Sequence, residues 1–236
     1  MSEDLSAGSL AAALPGRPLR CYPALLSTHA DALAWARSGA PEGAVVTADY
    51  QASPRGRAGL EWHVEPGVSA GLSLVLRPAL PPEREGWLYT VAVCGLSDVF
   101  GAGASIRWPD EVVLEAEPVA ATGVQVQLGP QGIEWAVVSI CVPRPLRSRL
   151  EIIRDVVEAT EARYRLEPDS VLSDYRARCE TFGKRVRARL IPMGPGGPQV
   201  SGVATDTRLD GSLVIRTDAG RRVSVRPQNL GLLDYL

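Results

Sequence analysis

Two short apolar runs that flank a loop of unusual composition constrain this chain more than any other feature. Residues 44–48 and 72–76 are rich in aliphatic or β-branched residues, and glycine and proline bound them. Short runs of this kind predict β-strands. The segment 49–62 between them is polar and contains arginine, glycine and two aromatic residues. The pattern therefore predicts two strands joined by a long polar loop.

The loop combines two arginines with two glycines, at Arg55, Gly56, Arg57 and Gly59. Glycine allows positive φ angles and close approach of the backbone to a ligand. The guanidinium group offers a planar fork of donors that suits phosphate or carboxylate. This composition is typical of a loop that binds an anion, although a solvent-exposed hairpin loop can have the same composition. The loop alone does not decide between the two interpretations.

Composition narrows the function classes. The length of 236 residues allows one domain of good size and a small second one. A net charge of -2 argues against nonspecific binding of nucleic acid. Lys184 is the only lysine, which excludes a mechanism that needs a lysine elsewhere in the chain.

The cysteines, the N-terminus and the apolar segments indicate a cytoplasmic protein, and the histidines argue against a structural metal site. The four cysteines are widely spaced without a C-x-x-C pair, so we expect free thiols in a reducing compartment. His29 and His63 are far apart in sequence, which argues against a structural metal site built on histidine. The first residues lack the pattern of a signal peptide, and no apolar run is long enough to span a bilayer.

Local patterns predict helices and strands along the rest of the chain. Residues 1–16 are small and polar, which predicts a frayed lead-in. Ser27 and Thr28 precede an Ala- and Leu-rich run and predict the N-terminus of a helix. A capping box at 148–151 predicts an amphipathic helix. The remaining elements are helices at 87–99 and 170–179 and strands at 123–128 and 133–142.

The character of the sequence changes at Thr181. Four or five short alternating runs, separated by glycine, proline or Asp-Gly turns, fill the last 55 residues or so. They predict a small SH3-like β-barrel. We therefore expect two domains, at residues 1–180 and 181–236.

In the first domain, Pro109 bars helical geometry before it and places Arg107 and Asp110 at a corner between two apolar runs.

The order of these landmarks resembles that of the biotin–protein ligase family. Ser-Thr opens a helix, Tyr-Gln precedes the Arg-Gly-Arg loop, Leu-Ser-Leu lies on a strand, a basic residue precedes Trp-Pro, and a small barrel ends the chain. The resemblance runs from about Leu19 to Leu236, without an N-terminal DNA-binding domain before it. It implies an α+β fold related to class II tRNA synthetases, with helices against a mainly antiparallel sheet, followed by the SH3-like barrel.

The resemblance also implies an activity and its site. Family members join biotin to ATP as an adenylate and pass the biotinyl group to a lysine of a carrier domain. By match to the family motifs, catalysis falls to Arg107 and Asp110. The resemblance assigns binding of the acid and the nucleotide to a larger set of residues. They are Ser27, Thr28, His29, Gln51, Arg55, Gly56, Arg57, Gly59, Trp62, Leu72, Ser73 and Leu74. No residue is assigned as a resident metal ligand, although Asp110 or Glu111 would hold Mg²⁺ beside ATP.

This sequence departs from the family pattern at several of these positions. Arg107 replaces a lysine, Asp110 replaces an asparagine, and His29 stands where the family has asparagine. Three hypotheses follow. The first is a divergent ligase for biotin or a related carboxylic acid. The second is a catalytically degenerate member that binds a small molecule or a partner. The third, less favoured, is an interaction module that binds protein through its barrel. A homodimer is a further expectation, and neither nucleic acid nor membrane is an expected partner.

Overall fold

A seven-stranded sheet frames the larger part of the molecule. The structure is a computed structural model that describes residues 3–236. The strands of this sheet are β1 (Leu19–Tyr22), β2 (Val45–Ala48), β3 (Ala70–Leu76), β4 (Ser105–Arg107), β5 (Glu111–Leu114), β6 (Glu117–Gly129) and β7 (Gly132–Val142). Their order is β1-β2-β3-β7-β6-β5-β4. β1 and β2 are parallel and the other neighbours are antiparallel.

Five α-helices flank this sheet, and four short 3-10 helices lie in connecting segments or near the N-terminus. The α-helices are α1 (Ala7–Ala13), α2 (Thr28–Arg37), α3 (Trp87–Phe100), α4 (Arg149–Arg165) and α5 (Pro168–Arg178). The 3-10 helices are Glu3–Leu5, Arg57–Gly59, Pro82–Arg84 and Pro227–Asn229. The predicted helices at 87–99, 148 onward and 170–179 are confirmed, and so are the predicted strands in this part of the chain.

Alternation along the strands gives the sheet two different faces. Val46, Val75 and Val137 pack under α2 on one face. Leu72 and Leu74 point to the other face, where α3 and α4 cover them in the main hydrophobic core. Because side chains alternate along a strand, the residues between those leucines belong to the face of α2. Ser73, the polar residue between the two leucines, therefore lies on that face.

The predicted frayed lead-in is wrong for residues 3–16, and residues 1–2 lie outside the described part of the chain. Residues 7–13 form α1, and the Ser6 hydroxyl accepts a hydrogen bond from the Ser9 backbone N–H at 3.1 Å. Leu5, Leu10 and Leu14 are at most 2% exposed. Leu10 and Leu14 are four residues apart, so they share one helical face and dock it on the core. The surrounding alanines and glycine concealed this pattern.

A second, five-stranded antiparallel sheet forms the C-terminal part, as predicted for the SH3-like barrel. Its strands are β8 (Arg185–Leu190), β9 (Gln199–Thr207), β10 (Leu213–Arg216), β11 (Arg222–Val225) and β12 (Leu230–Tyr235), in the order β11-β10-β9-β8-β12. Its apolar side chains join the main hydrophobic core of the larger sheet. The division into domains at residue 180 stays a prediction.

Trp108 connects the two sheets. Its backbone N–H donates to the Thr181 hydroxyl at 3.0 Å, and its indole N–H donates to the Gly211 carbonyl at 2.9 Å. Trp108 is 3% exposed, so both hydrogen bonds are shielded from water. The corner that carries Arg107 and Asp110 is therefore fixed against the C-terminal sheet. Among residues 3–236, no helix combines the length and the apolar character needed to cross a membrane.

Candidate functional site

The site begins at Gln51, which lies just beyond β2. Its amide oxygen Oε1 accepts hydrogen bonds from the backbone N–H of Thr28 at 2.8 Å and from the Thr28 hydroxyl at 3.0 Å. A backbone N–H can only donate, so the atom that faces it must be the amide oxygen. The amide nitrogen is thereby turned toward Gly71, where a Cβ atom would lie 2.2 Å from it. Gly71 is needed for this close approach.

Hydrogen bonds continue from Thr28 across the sheet. The Ser73 hydroxyl donates to Thr28 Oγ1 at 3.0 Å and lies 2.9 Å from Ser139 Oγ. Ser139 Oγ is 2.8 Å from His29 Nδ1, and His29 Nε2 is 2.9 Å from Gln125 Oε1. We call these five residues together with Gln51 the hydroxyl relay. It extends from the buried Gln51 side chain to the exposed side of His29.

The relay unites four of the predicted site residues and adds two that sequence reasoning missed. Gln51, Thr28, His29 and Ser73 were predicted, whereas Ser139 and Gln125 were not. Ser139 is a lone hydroxyl in the buried apolar strand β7, as Ser73 is in β3, and that similarity is a signal that could have identified it. Gln125 lies in an alternating Val-Gln run and carries no such signal.

Ser27, Leu72 and Leu74, which were predicted to bind the substrate, are not part of the hydroxyl relay. Ser27 is the N-cap residue of α2, but its side chain makes no capping hydrogen bond. Within residues 3–236, its buried hydroxyl has no hydrogen-bond partner. Leu72 and Leu74 lie on the opposite face of β3 from Ser73, in the core under α3 and α4. They support the strand and are separated from the relay.

Close packing holds the arginine loop against β6. A Cβ atom at Gly56 would lie 2.6–2.9 Å from the Trp62 indole, and one at Gly123 would lie 3.1–3.2 Å from the backbone of the loop. The loop turns through Ala58 and Gly59, which both have positive φ angles of 54° and 75°. Glycine at position 56 therefore lets Trp62 cover the loop.

The two arginines of the loop have different environments. Arg55 is exposed, and its guanidinium donates to the Gly59 carbonyl at 3.2 Å. Arg57 is 6% exposed and donates through Nε to Asp110 at 2.9 Å. Its Nη1 donates to the Leu230 carbonyl of β12. Arg57 therefore joins the loop, the Trp-Pro corner and the C-terminal sheet.

Asp110 is an ionisable group with an unusual environment. Burial raises the pKa of its carboxyl to about 6, and the nearby Glu111 carboxylate raises it as well. The Arg57 guanidinium lowers this pKa but does not offset the burial. Its side chain is 13% exposed, which is consistent with a costly charge.

Arg107 lies beside this pair and has its own acidic neighbours. Its Nε donates to Glu180 at 3.1 Å, and its Nη1 is 3.5 Å from Glu111. Its guanidinium carbon is 5.6 Å from the centre of the Tyr235 ring. The side chain is 23% exposed, so one part of the cation still faces solvent. In this position Arg107 can reach an anion without leaving its carboxylate partners.

Two adjacent clefts result from this arrangement. The amide cleft, about 340 Å³, is lined by Gln51 and by residues of the loop and the following segment, namely Tyr50, Ala52, Pro54, Glu61, Trp62, His63 and Val64. The cationic cleft, about 280 Å³, is lined by Arg57, Arg107, Asp110, Glu111, Trp62, Trp108 and residues of β12 among others. Trp62 and Glu61 line both clefts. Arg57 and Arg107 thus face one cavity, and Arg55 is not among the residues that line it.

A larger cleft lies elsewhere and is a weaker candidate. It measures about 690 Å³ and is formed by residues 78–81 and the hairpin turn at 129–134. Glu134 is the one charged residue of its lining. Because this lining has neither a cation nor a cluster of polar side chains, volume alone does not make it a functional site. The convergent polar groups are at the other two clefts.

The fold and the site together define a class of protein. It has an α+β fold with a mainly antiparallel sheet and an SH3-like second sheet. An amide cleft without residues of the C-terminal sheet adjoins a cationic cleft at the junction of the two sheets. Comparison with known proteins gives the family. The chain is 32% identical over 226 residues to a biotin–[acetyl-CoA-carboxylase] ligase of Mycobacterium tuberculosis, which covers 84% of this chain and 82% of the relative. The chain therefore belongs to the biotin–protein ligase family.

Solved structures agree on the fold. A biotin protein ligase from Aquifex aeolicus, in complex with biotin and ATP, has a TM-score of 0.69 at 18% identity, covering 93% of this chain and 99% of that one. A biotin protein ligase-like protein of unknown function from Silicibacter has a TM-score of 0.69 at 13% identity, covering 91% and 96%. No protein-family model matches the chain. At these identities the solved structures show a shared fold.

Proposed function

We propose that the protein adenylates biotin, or a closely related carboxylic acid, with ATP and transfers the acyl group to a lysine of a carrier protein. The observation that carries this proposal is the pair of adjoining clefts, one with a fixed amide and one with two arginines, which share Trp62. An activated acid needs these two kinds of contact at neighbouring positions. The relatives support biotin as the acid.

The first step forms a bond between a carboxylate oxygen of the acid and the α-phosphorus of ATP. The bond from that phosphorus to the bridging oxygen breaks, and pyrophosphate leaves. Negative charge accumulates on the α-phosphate oxygens. The guanidinium groups of Arg57 and Arg107, which line the cationic cleft, would stabilise it. Arg57 is held by Asp110 and by β12, so its orientation is preorganised.

In the second step the neutral amine of an acceptor lysine attacks the acyl carbonyl carbon, and AMP leaves with the former carboxylate oxygen. Leu60 of the loop lines the cationic cleft and is 38% exposed, so we place the approach of the acceptor on this side. Lys184 is the only lysine of this chain, so modification on lysine must go to that residue or to another protein.

The acidic residues of the cationic cleft suit a magnesium ion that arrives with the nucleotide. Among residues 3–236, no group of three or more histidine, cysteine or acidic residues could hold a metal ion by itself. Magnesium commonly uses one or two carboxylates and completes its shell with phosphate and water. Glu111 and Asp110, which line the cleft, would hold it, and it would neutralise phosphate charge there.

The hydroxyl relay and the unpartnered Ser27 hydroxyl favour a polar head group for the acid. Ser27 lies at the N-terminus of α2, next to Thr28, which hydrogen-bonds to Gln51. The buried Ser27 oxygen is without a partner among the described residues. A buried hydroxyl of this kind costs free energy until a ligand or water bonds to it. This supports the placement of the acid's polar head at the amide cleft.

The test is a two-stage assay with the purified chain. Biotin, ATP and Mg²⁺ should give pyrophosphate release, and added carrier domain should then become biotinylated at its lysine. A Lys184→Arg variant separates this transfer from self-labelling. Biotin binding without pyrophosphate release would contradict the proposal and support a non-catalytic binding role. The predicted homodimer is a separate matter, which sedimentation at several concentrations would test.

A further inference from the structure

The direction of each hydrogen bond between Gln51 and His29 in the hydroxyl relay can be worked out from the donors. Each hydroxyl has one proton to donate. Because Gln51 Oε1 accepts from the Thr28 backbone N–H, it must also accept from the Thr28 hydroxyl. Thr28 Oγ1 has then used its proton, so Ser73 donates to it. Ser73 has used its own proton in turn.

The same count fixes the other half of the relay. Ser139 must donate to Ser73, because the two oxygens are 2.9 Å apart and the Ser73 proton points to Thr28. The 2.8 Å bond between Ser139 and His29 therefore needs a proton on His29 Nδ1. All protons of the relay point toward Gln51. His29 is the donor at which this one-way chain starts.

Gln125 closes the relay at the other ring nitrogen. A neutral His29 with Nδ1 protonated has a lone pair on Nε2, and the Gln125 amide then turns its NH₂ group toward it. A charged His29 donates from Nε2 to the Gln125 oxygen instead. The groups that hydrogen-bond to the ring, Ser139 and Gln125, are both neutral. The direction from His29 Nδ1 to Gln51 is the same in either state, and only the bond between His29 and Gln125 reverses.

We propose that Ser139 and His29 are positioning residues for the acyl substrate, which act through Ser73 and Thr28 on Gln51. The one-way chain holds the Gln51 oxygen inward, so that its amide nitrogen is kept as a donor for a carbonyl-type acceptor on the acid. This inference rests on the proposed function for the identity of the ligand. The relay itself is independent of any ligand.

The first test reads the tautomer of His29 by ¹⁵N NMR of the free protein at pH 8. The chain has two histidines, so a His63→Gln variant leaves a single imidazole signal. We expect the Nδ1–H form for His29. The Nε2–H form would overturn the one-way direction, whatever the protein binds. A role in packing alone would not select this tautomer.

The second test measures binding by calorimetry with biotin and with its neutral methyl ester as probes. Ser139→Ala removes a link, and we expect about tenfold weaker binding of both probes, as for loss of a buried hydrogen bond. His29→Asn places an amide donor where Nδ1 was and should stay within about twofold of the wild type. His29→Asp has the same shape but accepts only, so it should bind about tenfold more weakly and recover as its carboxyl is protonated at lower pH.

Steady-state kinetics then separates positioning from general damage. The Ser139→Ala and His29→Asp variants should raise the KM for the acid while the KM for ATP stays near the wild-type value. The urea midpoint should fall only by the modest amount expected for the loss of one buried hydrogen bond. Unchanged acid binding in a folded Ser139→Ala variant would overturn this inference alone. A wild-type protein that binds neither probe would overturn the proposed function instead, and the NMR result would still decide the direction of the relay.

Discussion

The two clefts of the candidate site are held in opposite ways. The amide cleft rests on neutral hydrogen bonds between buried side chains of β3, β7 and α2 and the segment after β2. The cationic cleft rests on ion pairs, and its arginines reach residues of the C-terminal sheet or the segment before it. The amide cleft is therefore built on a single sheet, whereas the cationic cleft depends on the contact between the two sheets.

This difference predicts how each cleft responds to change. Neutral hydrogen bonds contribute about 1 kcal/mol each and are largely indifferent to salt and pH. A buried ion pair has small net value while intact, but it is costly to break because one charge is left without its partner. Mutations at the cationic cleft should therefore cost more stability, whereas mutations at the amide cleft should mainly change ligand affinity.

The largest effect is expected for Arg57→Ala. It leaves the Asp110 carboxylate without its cation and removes a donor from the Leu230 carbonyl. Urea unfolding at pH 7 should show a loss of about 3–5 kcal/mol, with adenylation abolished. Arg55→Ala, two residues away and exposed, is the matched control, and about 0.5 kcal/mol is expected for it. Equal losses for both variants would refute the distinction between the two arginines.

The second effect concerns pH and Asp110. Its pKa is raised from 3.8 to about 6, so the folded protein takes up this proton more readily than the unfolded chain. The contribution of Asp110 to stability therefore falls as pH rises from about 4 to about 6, and the total loss is about 3 kcal/mol. Asp110→Asn keeps an acceptor for Arg57 and removes the charge.

The difference between the two stability curves isolates this group. From pH 4 to pH 7, the wild type should lose about 2.5 kcal/mol relative to Asp110→Asn in urea titrations. Other carboxyl groups cancel in the comparison because both proteins contain them. Parallel curves would show that Arg57 fully compensates the buried charge, and the amide and cationic clefts would then not differ in their response to pH.

Third in size is the effect of Arg107→Gln on the reaction. Removal of a cation that faces the developing charge should slow pyrophosphate release about 100-fold. Stability should fall by about 1 kcal/mol, because the partners Glu180 and Glu111 are partly exposed to water. Arg107→Lys is the control that keeps the charge without the planar fork, and its rate should lie between the two. An Arg107→Gln variant that releases pyrophosphate at the wild-type rate would contradict a catalytic role. Arg107 would then only join the two sheets.

Much of this architecture could be predicted from local sequence, and the reasons are visible at particular residues. The capping box at Ser148 is present in the structure because both of its hydrogen bonds are local. Gln51, Thr28 and Ser73 could be placed together because family motifs mark them. Local patterns failed at α1, where alanine and glycine hide the docking leucines.

The partners of the arginines could not be predicted for a different reason. Arg57 binds the backbone carbonyl of Leu230, 173 residues away, and a carbonyl acceptor leaves no mark on the sequence. The link between Ser139 and His29 spans 110 residues and depends on the register of β3 with β7. Such contacts follow from the packing of sheets and helices, which no short window of sequence contains.

The smallest of these four effects, and the sharpest test of the amide cleft, is expected for Gly71→Ala. The new Cβ atom would lie 2.2 Å from the Gln51 amide nitrogen, so the flexible end of Gln51 must move and lose its bonds to Thr28. Urea unfolding should show a loss of about 1 kcal/mol, with biotin binding weakened about tenfold.

A double-mutant cycle with Gln51→Ala decides the cause. Once the amide is absent, an alanine at position 71 meets no atom closer than the Ile140 carbonyl oxygen, about 4 Å away in the wild-type structure. Gly71→Ala should then cost almost nothing further in stability or in biotin affinity. Equal costs in both backgrounds would place the damage in the strand rather than in Gln51. The amide cleft would then not depend on the orientation of the Gln51 side chain. That dependence is what distinguishes it from the ion-paired cleft beside it.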